Sequence, residues 1–219
     1  MNSKPKIPDA VIKRLPRYYR YLGDLLQMGI SRVSSKDLSV RMGLTSSQVR
    51  QDFYNFGGFG VQGYGYDVEY LHQEIRKILG LEHNFRLIIV GVGNLGTAVA
   101  KYLQVKKDGF QLLGLFDANP LIIGTLVGEL EVQDINKLPD FIRNNKIEIA
   151  ALSVPARNAR DTANLLADAG IRGIWNFTPA ELKLPPDIFI ENVHITDNLM
   201  TLGYRIANSK YGEQVPRNE

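Results

Sequence analysis

Gly91, Gly93, Gly96 and Asp117 are the residues whose types and spacing could hold a dinucleotide. The segment Gly91-Val92-Gly93-Asn94-Leu95-Gly96 follows an unbroken apolar run, Leu87 to Val90, and precedes a helical stretch, Thr97 to Leu103. In a strand–turn–helix of this kind the first glycine permits the tight turn. The second lets a pyrophosphate approach the backbone, and the third lets helix and strand pack closely. The helix N-terminus adds unpaired N–H groups and the positive end of its dipole. Asp117 closes a second apolar run, Phe110 to Phe116, 21 residues past Gly96. A carboxylate there accepts hydrogen bonds from both hydroxyls of an adenosine ribose. Neither Ala118 nor Asn119 supplies an arginine for a 2′-phosphate, so the pattern favours NAD(H) over NADP(H). The alternative is a plain glycine-rich turn beside a solvated aspartate; context and spacing together argue against it.

Two further strand ends belong with this turn. Ile147 to Val154 ends in Ser153-Val154-Pro155, and Gly173 to Phe177 leads through Asn176, Phe177 and Thr178 to Pro179. Alternating β and α segments imply a parallel sheet, and ligands collect at the C-terminal ends of its strands. Ser153, Val154, Pro155, Asn176, Phe177 and Thr178 are therefore candidate contacts for ribose and nicotinamide.

A second set of residues has the types that read DNA. Thr45-Ser46-Ser47-Gln48 matches a capping box and opens a helix through about Phe56, behind a shorter helix from Ser34 or Ser35 to Gly43. Two short helices about a tight turn make the helix-turn-helix pattern. Val49, Phe53 and Phe56 form the buried face of the second helix. Ser46, Ser47, Gln48, Arg50 and Gln51 are left at the end that reaches base edges. Gly57 to Tyr66 interleaves glycines 57, 58, 60, 63 and 65 with aromatics and predicts a hairpin. Directly after a recognition helix a hairpin is a wing, which makes Phe59, Gly60, Gln62, Gly63 and Tyr64 candidate DNA contacts. A hairpin packed on the core is the structural alternative.

The elements that must position these residues can be placed in order. Ile7 to Met28 has helical spacing, with Pro16 expected to kink or split it, and carries Lys13, Arg14, Arg17 and Arg20 opposite its apolar side. Asp67 caps a helix to Leu79, and Gly80 to Phe85 is the linker. Glu131-Val132 reads as a short strand, Asp134 to Asn144 as a helix interrupted at Pro139, and Ala159 to Ala169 as a helix closed by Gly170. Ile188 to Ile195 is the last strand. Thr196 or Asp197 then caps a terminal helix through about Ala207, with Lys210 to Glu219 frayed. That helix, with Leu199, Met200, Leu202 and Ile206 beside Tyr204, either caps its own domain or crosses to a second chain. The fold class is α/β, divided into a winged helix-turn-helix domain (1–82), a Rossmann-type domain with a parallel sheet (83–195), and a C-terminal helix and tail (196–219).

Charge and composition agree with this division. Residues 1–58 hold ten Lys/Arg against four Asp/Glu, whereas the whole chain is only +3. A basic N-terminal module favours a polyanionic partner. The chain has no cysteine, which excludes disulfides, thiolate metal sites and thiol redox sensing, so any response to redox state must sit in a bound cofactor. His72 and His83 lack companion ligands, and no metal is expected. No apolar stretch is long enough to cross a membrane, and the polar Met1 to Pro8 is not a signal peptide, so a cytoplasmic location is expected.

With these segments in view, the chain resembles the redox-sensing transcriptional repressors of the Rex family over nearly its whole length. The resemblance rests on Leu15-Pro-Arg-Tyr-Tyr-Arg20, Val33-Ser-Ser35, Gln48-Val-Arg-Gln-Asp-Phe53, Gly63-Tyr-Gly-Tyr66, Val90 to Thr97, Val154-Pro155 and Asn176-Phe-Thr-Pro179. It implies a homodimer with the C-terminal helix exchanged between subunits, bound to a palindromic operator when NAD⁺ prevails and released by NADH. It also implies that Tyr102 moves near the nicotinamide and that Arg20 pairs across domains with an acid opening the C-terminal segment. In this chain the acid's usual place is His194, so either Asp197 substitutes or the switch pair differs. Gln51 stands where the family often has lysine, and Val61 and Gln62 are less basic than usual. DNA affinity is therefore expected to rest more on Arg50, Arg17 and the N-terminal lysines.

The reading that joins all of this is an NAD(H)-responsive DNA-binding repressor, not an enzyme. An NAD-dependent dehydrogenase would need a positioned acid/base. His194 is the only histidine after the glycine-rich turn, and no Ser–Tyr–Lys constellation is present. A CoA-binding Rossmann module would meet repulsion between Asp117 and the 3′-phosphate of CoA.

Overall fold

The computed structural model describes residues 7–57, 64–105 and 108–212, with side chains through Ser209. The chain divides into two compact units, residues 1–83 and 84–219.

In the first unit the expected long helix is split. Helix α1 (Asp9–Ile12) ends at Lys13, and α2 (Leu15–Gln27) restarts with Pro16 in its first turn, where a missing N–H costs nothing. A two-residue strand β1 (Arg32–Val33) leads into α3 (Ser35–Met42), whose Ser34 cap and Asp37 form a reciprocal capping box. Thr45 and Gln48 do the same for α4 (Ser46–Tyr54), which stops two residues before the expected Phe56. The wing positions Phe59, Gly60, Gln62 and Gly63 lie outside the described residues. The strand that follows them, β2 (Tyr66–Asp67), pairs antiparallel with β1, Val33 opposite Tyr66. β1 is too short to show in the sequence. Asp67 caps α5 (Val68–Ile78), accepting from the Tyr70 N–H. Leu15, Tyr18, Leu22, Val49, Phe53, Leu71 and Ile75 interlock as the core of this unit.

The second unit is a doubly wound sheet. Its strands are β3 (Phe85–Val90), β4 (Phe110–Asp117), β5 (Leu126–Val127), β6 (Leu130–Asp134), β7 (Ile149–Leu152), β8 (Gly173–Asn176) and β9 (Phe189–Asn192). They lie in the order β5-β6-β4-β3-β7-β8-β9. The six parallel strands thus run outward in both directions from β3, placing the switch point at its C-terminal end beside the glycine-rich turn. The expected parallel sheet carries one antiparallel strand at its edge: β5 pairs antiparallel with β6, Leu126 opposite Glu131. Helix α6 (Asn94–Val105) begins inside the glycine segment, three residues earlier than its periodicity predicts. Pro139 does not interrupt a helix; it sits in the first turn of α7 (Leu138–Asn145), after a 3₁₀ turn at Ile135–Lys137. Helix α8 (Ala156–Asp168) follows β7, and apolar clusters cover both sheet faces, around Ile88, Val90 and Leu152 on one and Leu87, Ile89 and Leu115 on the other.

The terminal helix α9 (Ile195–Gly212) starts before Thr196 and Asp197, which lie in its first turn and do not cap it. Every residue from Ile195 to Ser209 is exposed, so the helix does not pack down as a cap on its own domain.

Candidate nucleotide and DNA sites

The glycine-rich turn is built by close backbone contact. Gly91 has φ +95°, a conformation that side-chain-bearing residues rarely adopt, and a Cβ there would lie 2.6 Å from the carbonyl carbon and oxygen of Ser153. A Cβ at Gly96 would collide with the Gly91 carbonyl oxygen. Gly93 is different: a Cβ there would meet nothing within 4 Å. Two of the three glycines are therefore required by the fold, and the third leaves an exposed stretch of backbone at the start of α6. Val92 is buried, so it can offer a ligand only its backbone, whereas Asn94 is exposed and Leu95 half-buried.

Asp117, half-buried at the end of β4, ties this turn down. Its Oδ2 accepts the Val92 N–H at 2.6 Å and its Oδ1 the Asn119 N–H at 2.8 Å. A carboxylate has about four acceptor sites, so lone pairs remain for ribose hydroxyls. From β7, the Ser153 hydroxyl donates to the Gly91 carbonyl at 2.7 Å, and Thr97 donates its hydroxyl to Val92 O at 3.2 Å. Ser153, Val154 and Pro155 thus flank the turn directly, with Val154 half-buried and Pro155 exposed at the start of α8.

The β8 end is organised differently. Asn176 is wholly buried, and its amide makes four hydrogen bonds: Nδ2 donates to Ala180 O and Asn192 Oδ1, while Oδ1 accepts the Thr178 N–H and hydroxyl. That is its full capacity. Asn176 and the buried Thr178 therefore work inside the fold, fixing the loop after β8 and joining β8 to β9. Phe177, half-buried with its ring 4.5 Å from Trp175, is the member of this segment best placed to meet a ligand. Tyr102 is exposed on α6. His194 is exposed just before α9, its carbonyl accepting the Asp197 N–H, and Asp197 is exposed in the first turn.

In the first unit, Ser47, Gln48, Arg50 and Gln51 are exposed along α4. Gln48 is not free, as the sequence alone led us to expect: its Oε1 accepts the Thr45 N–H at 2.9 Å in the capping box, leaving its amide N–H groups available. Ser46 turns inward, its Oγ 3.3 Å from that of Ser39, and Ser47 shares a hydrogen bond with Thr45. Arg50 donates to Ser35 Oγ at 3.3 Å, and Arg17 donates to the Met42 carbonyl at the end of α3. Tyr64 is exposed, with the Arg32 guanidinium 5.9 Å from its ring centroid and donating to its carbonyl.

Sequence reasoning missed the centre of this unit. Asp52 is buried on α4, accepting a bidentate pair from Arg14 (2.8 and 2.6 Å) and the Tyr18 hydroxyl at 2.9 Å. Burial, then the bond to Asp52, raises the Tyr18 pKa far above its ordinary value, and the same carboxylate raises that of Arg14. The clue was available: Asp52 stands three residues after Val49 and next to Phe53, a carboxylate on an otherwise apolar face.

Two family models match the chain. One, described as "Putative DNA-binding protein N-terminus", covers residues 6–53, and the other, "CoA binding domain", covers residues 82–180. The redox-sensing transcriptional repressor Rex of Thermoanaerobacter pseudethanolicus is 52% identical over 206 residues, spanning 94% of this chain and 92% of that protein. Rex of Clostridioides difficile is 51% identical over 210 residues, 96% of this chain and 100% of that protein. The Rex-family repressor RSP, in complex with NADH, aligns with a TM-score of 0.88 at 47% identity over 95% of this chain and 98% of that one. In complex with NAD⁺ and operator DNA it aligns at 0.86 and 49% identity, over 95% and 96%. With a DNA-reading helix pair and a Rossmann turn on one chain, and relatives at this identity over almost its full length, the chain belongs to the Rex family of redox-sensing transcriptional repressors.

Proposed function

We propose that this chain is an NAD(H)-responsive repressor that holds a palindromic operator as a homodimer and releases it on binding NADH. The observation that carries the reading is the junction of Asp117 with the Val92 amide, which sets a ribose-binding carboxylate beside the open backbone at Gly93, on a chain whose other unit presents Arg50 and Gln51 along a capped recognition helix. Gly91 to Gly96 would hold the pyrophosphate, Asp117 the adenosine ribose, and Ser153 to Pro155 with Phe177 and Tyr102 the nicotinamide side. Arg17, Ser47, Gln48, Arg50, Gln51 and Tyr64 would face DNA. The exposed apolar side chains of α9 are a natural dimer surface, exchanged between subunits. In a two-fold dimer the separation of the recognition helices must match the operator half-sites, and a ligand that prefers another separation releases the DNA. The protein acts in the cytoplasm and is a regulator, not an enzyme: only His194 among its histidines follows the turn, and it is exposed just before α9.

The decisive experiment titrates operator binding with NADH at several fixed NAD⁺ concentrations and one stated salt concentration, because phosphate contacts make affinity steeply salt-dependent. Release that tracks the NADH/NAD⁺ ratio supports the reading; equal affinity with either form of the coenzyme sinks it. The match to a CoA-binding domain over residues 82–180 motivates a second reading, CoA as the ligand of this unit. Asp117 opposes it by repelling a 3′-phosphate, and a thermal-shift comparison of NADH with CoA separates the two.

A further inference from the structure

The first unit contains a basic pocket of which the helix-turn-helix reading uses only Arg17. Arg17, Arg20 and Tyr21 from α2, with Arg41 and Met42 from α3, line an open space of about 190 Å³, and Asp24 is its single acid. Among the described residues none of these three arginines forms a salt bridge, unlike Arg14, which is paired with Asp52. One is partly used: Arg17 donates to the Met42 carbonyl at 3.1 Å, satisfying the negative end of α3. Arg41 lies over the Tyr21 ring, 5.5 Å from its centroid, which orients the guanidinium. Arg20 is exposed and lines the same space.

Three arginines line this one space with a single carboxylate among them, and an anion held there would offset the surplus of positive charge. Arginine's planar fork is suited to tetrahedral oxyanions, which it binds in bidentate fashion. We propose that this pocket is an oxyanion site of phosphate type, held by Arg20 and Arg41, with Arg17 and the Tyr21 hydroxyl completing it. The phosphate can be free in solution or belong to a DNA backbone, and the chemistry at the arginines is the same. Only the second source rests on the proposed function. The site differs from the Arg20 latch implied by family resemblance, because its occupant is a phosphate and not a carboxylate of the protein, and it engages Arg41 as well.

The test uses the full chain, the double variant Arg20→Gln/Arg41→Gln, and Arg143→Gln as a control that removes one surface charge from the second unit. In the first arm, melting is followed with inorganic phosphate against chloride at equal ionic strength. A saturable rise of about 3 °C is expected for the parent and the control and is absent in the double variant. In the second arm, binding to a nonspecific duplex is measured across salt concentrations. If the phosphate is DNA's, the double variant lowers the slope of log affinity against log salt by about 1 to 2, while the control leaves it unchanged. Either response supports the site and names its source. An unsaturable phosphate effect common to all three proteins, with equal salt slopes, overturns it. Because the first arm contains no DNA and no coenzyme, failure of the repressor reading would leave its result standing.

Discussion

The backbone N–H of Val92 donates to Asp117 Oδ2 at 2.6 Å, so the carboxylate expected to grip a ribose is also the peg that holds the glycine-rich turn against the end of β4. Affinity for the coenzyme and order in the turn are thereby one property. Asp117→Asn keeps the size but turns an amide NH₂ toward one of two N–H donors, Val92 or Asn119. We expect NADH affinity to fall about 10- to 100-fold, an effect of about 1–3 kcal/mol for a disrupted buried donor. Calorimetric titration with NADH measures it; unchanged affinity would remove Asp117 from the site.

The three glycines should not respond alike. Gly91→Ala drives a Cβ into the Ser153 backbone at a φ of +95°, and should cost the second unit several kcal/mol, about 3 or more. Gly93→Ala meets no protein atom and should leave the melting temperature within about 2 °C of the parent. The same change should weaken NADH binding at least about tenfold, because the methyl group stands where the pyrophosphate must approach. Thermal melting and NADH titration on both variants separate the fold's glycine from the ligand's.

High pH should loosen the first unit through its tyrosines. Burial and the bond to Asp52 raise the Tyr18 pKa above its ordinary 10, and burial raises that of Tyr66. A raised native pKa means that the native state favours the protonated phenol. This stabilisation is fully present below pH 10 and is lost as pH climbs above it toward the native value. Tyr18→Phe should cost about 1 kcal/mol at neutral pH and flatten the decline above pH 10, leaving the Tyr66 contribution. Denaturant unfolding at pH 8 and at pH 10.5 gives both numbers; an undiminished alkaline decline in the variant would acquit Tyr18.

Arg50 is exposed on α4 and donates to Ser35 Oγ at 3.3 Å. Arg50→Ala should weaken operator binding by about 1–3 kcal/mol while NADH affinity stays as it was. Gel-shift titration beside NADH titration checks it, and equal operator affinity would place Arg50 outside the DNA interface.

Much of this architecture is legible in the amino-acid order because it depends on local chemistry. The Thr45–Gln48 and Ser34–Asp37 capping boxes, the Asp67 cap and the glycine turn each declare themselves within a few residues. What stayed hidden is of two kinds. Leu126–Val127 and Arg32–Val33 are strands only because a partner strand supplies their hydrogen bonds, and two residues carry no period of their own. Asp52 and Asn176 owe their roles to groups far along the chain: Arg14 is 38 residues from Asp52 and Asn192 is 16 from Asn176. Pro139 was misread for a third reason. A proline inside an apolar pattern breaks a helix at its middle but begins one at its first turn, and periodicity does not say which. Within the candidate sites, Gln48 and Asn176 are visible in the sequence only as polar residues, while the work their amides do inside the fold depends on geometry that spacing does not contain.

Helix α9 keeps fifteen consecutive residues, Ile195 to Ser209, in water. A solitary helix of that length is marginal, because nucleation is unfavourable and little beyond backbone hydrogen bonding repays it. In the proposed dimer its persistence would be a matter of mass action: under dilution the segment is expected to melt before the sheet does. Assays at nanomolar and micromolar protein would sample different ensembles, with amide exchange in α9, not in β3 or β7, as the gauge of which one is present.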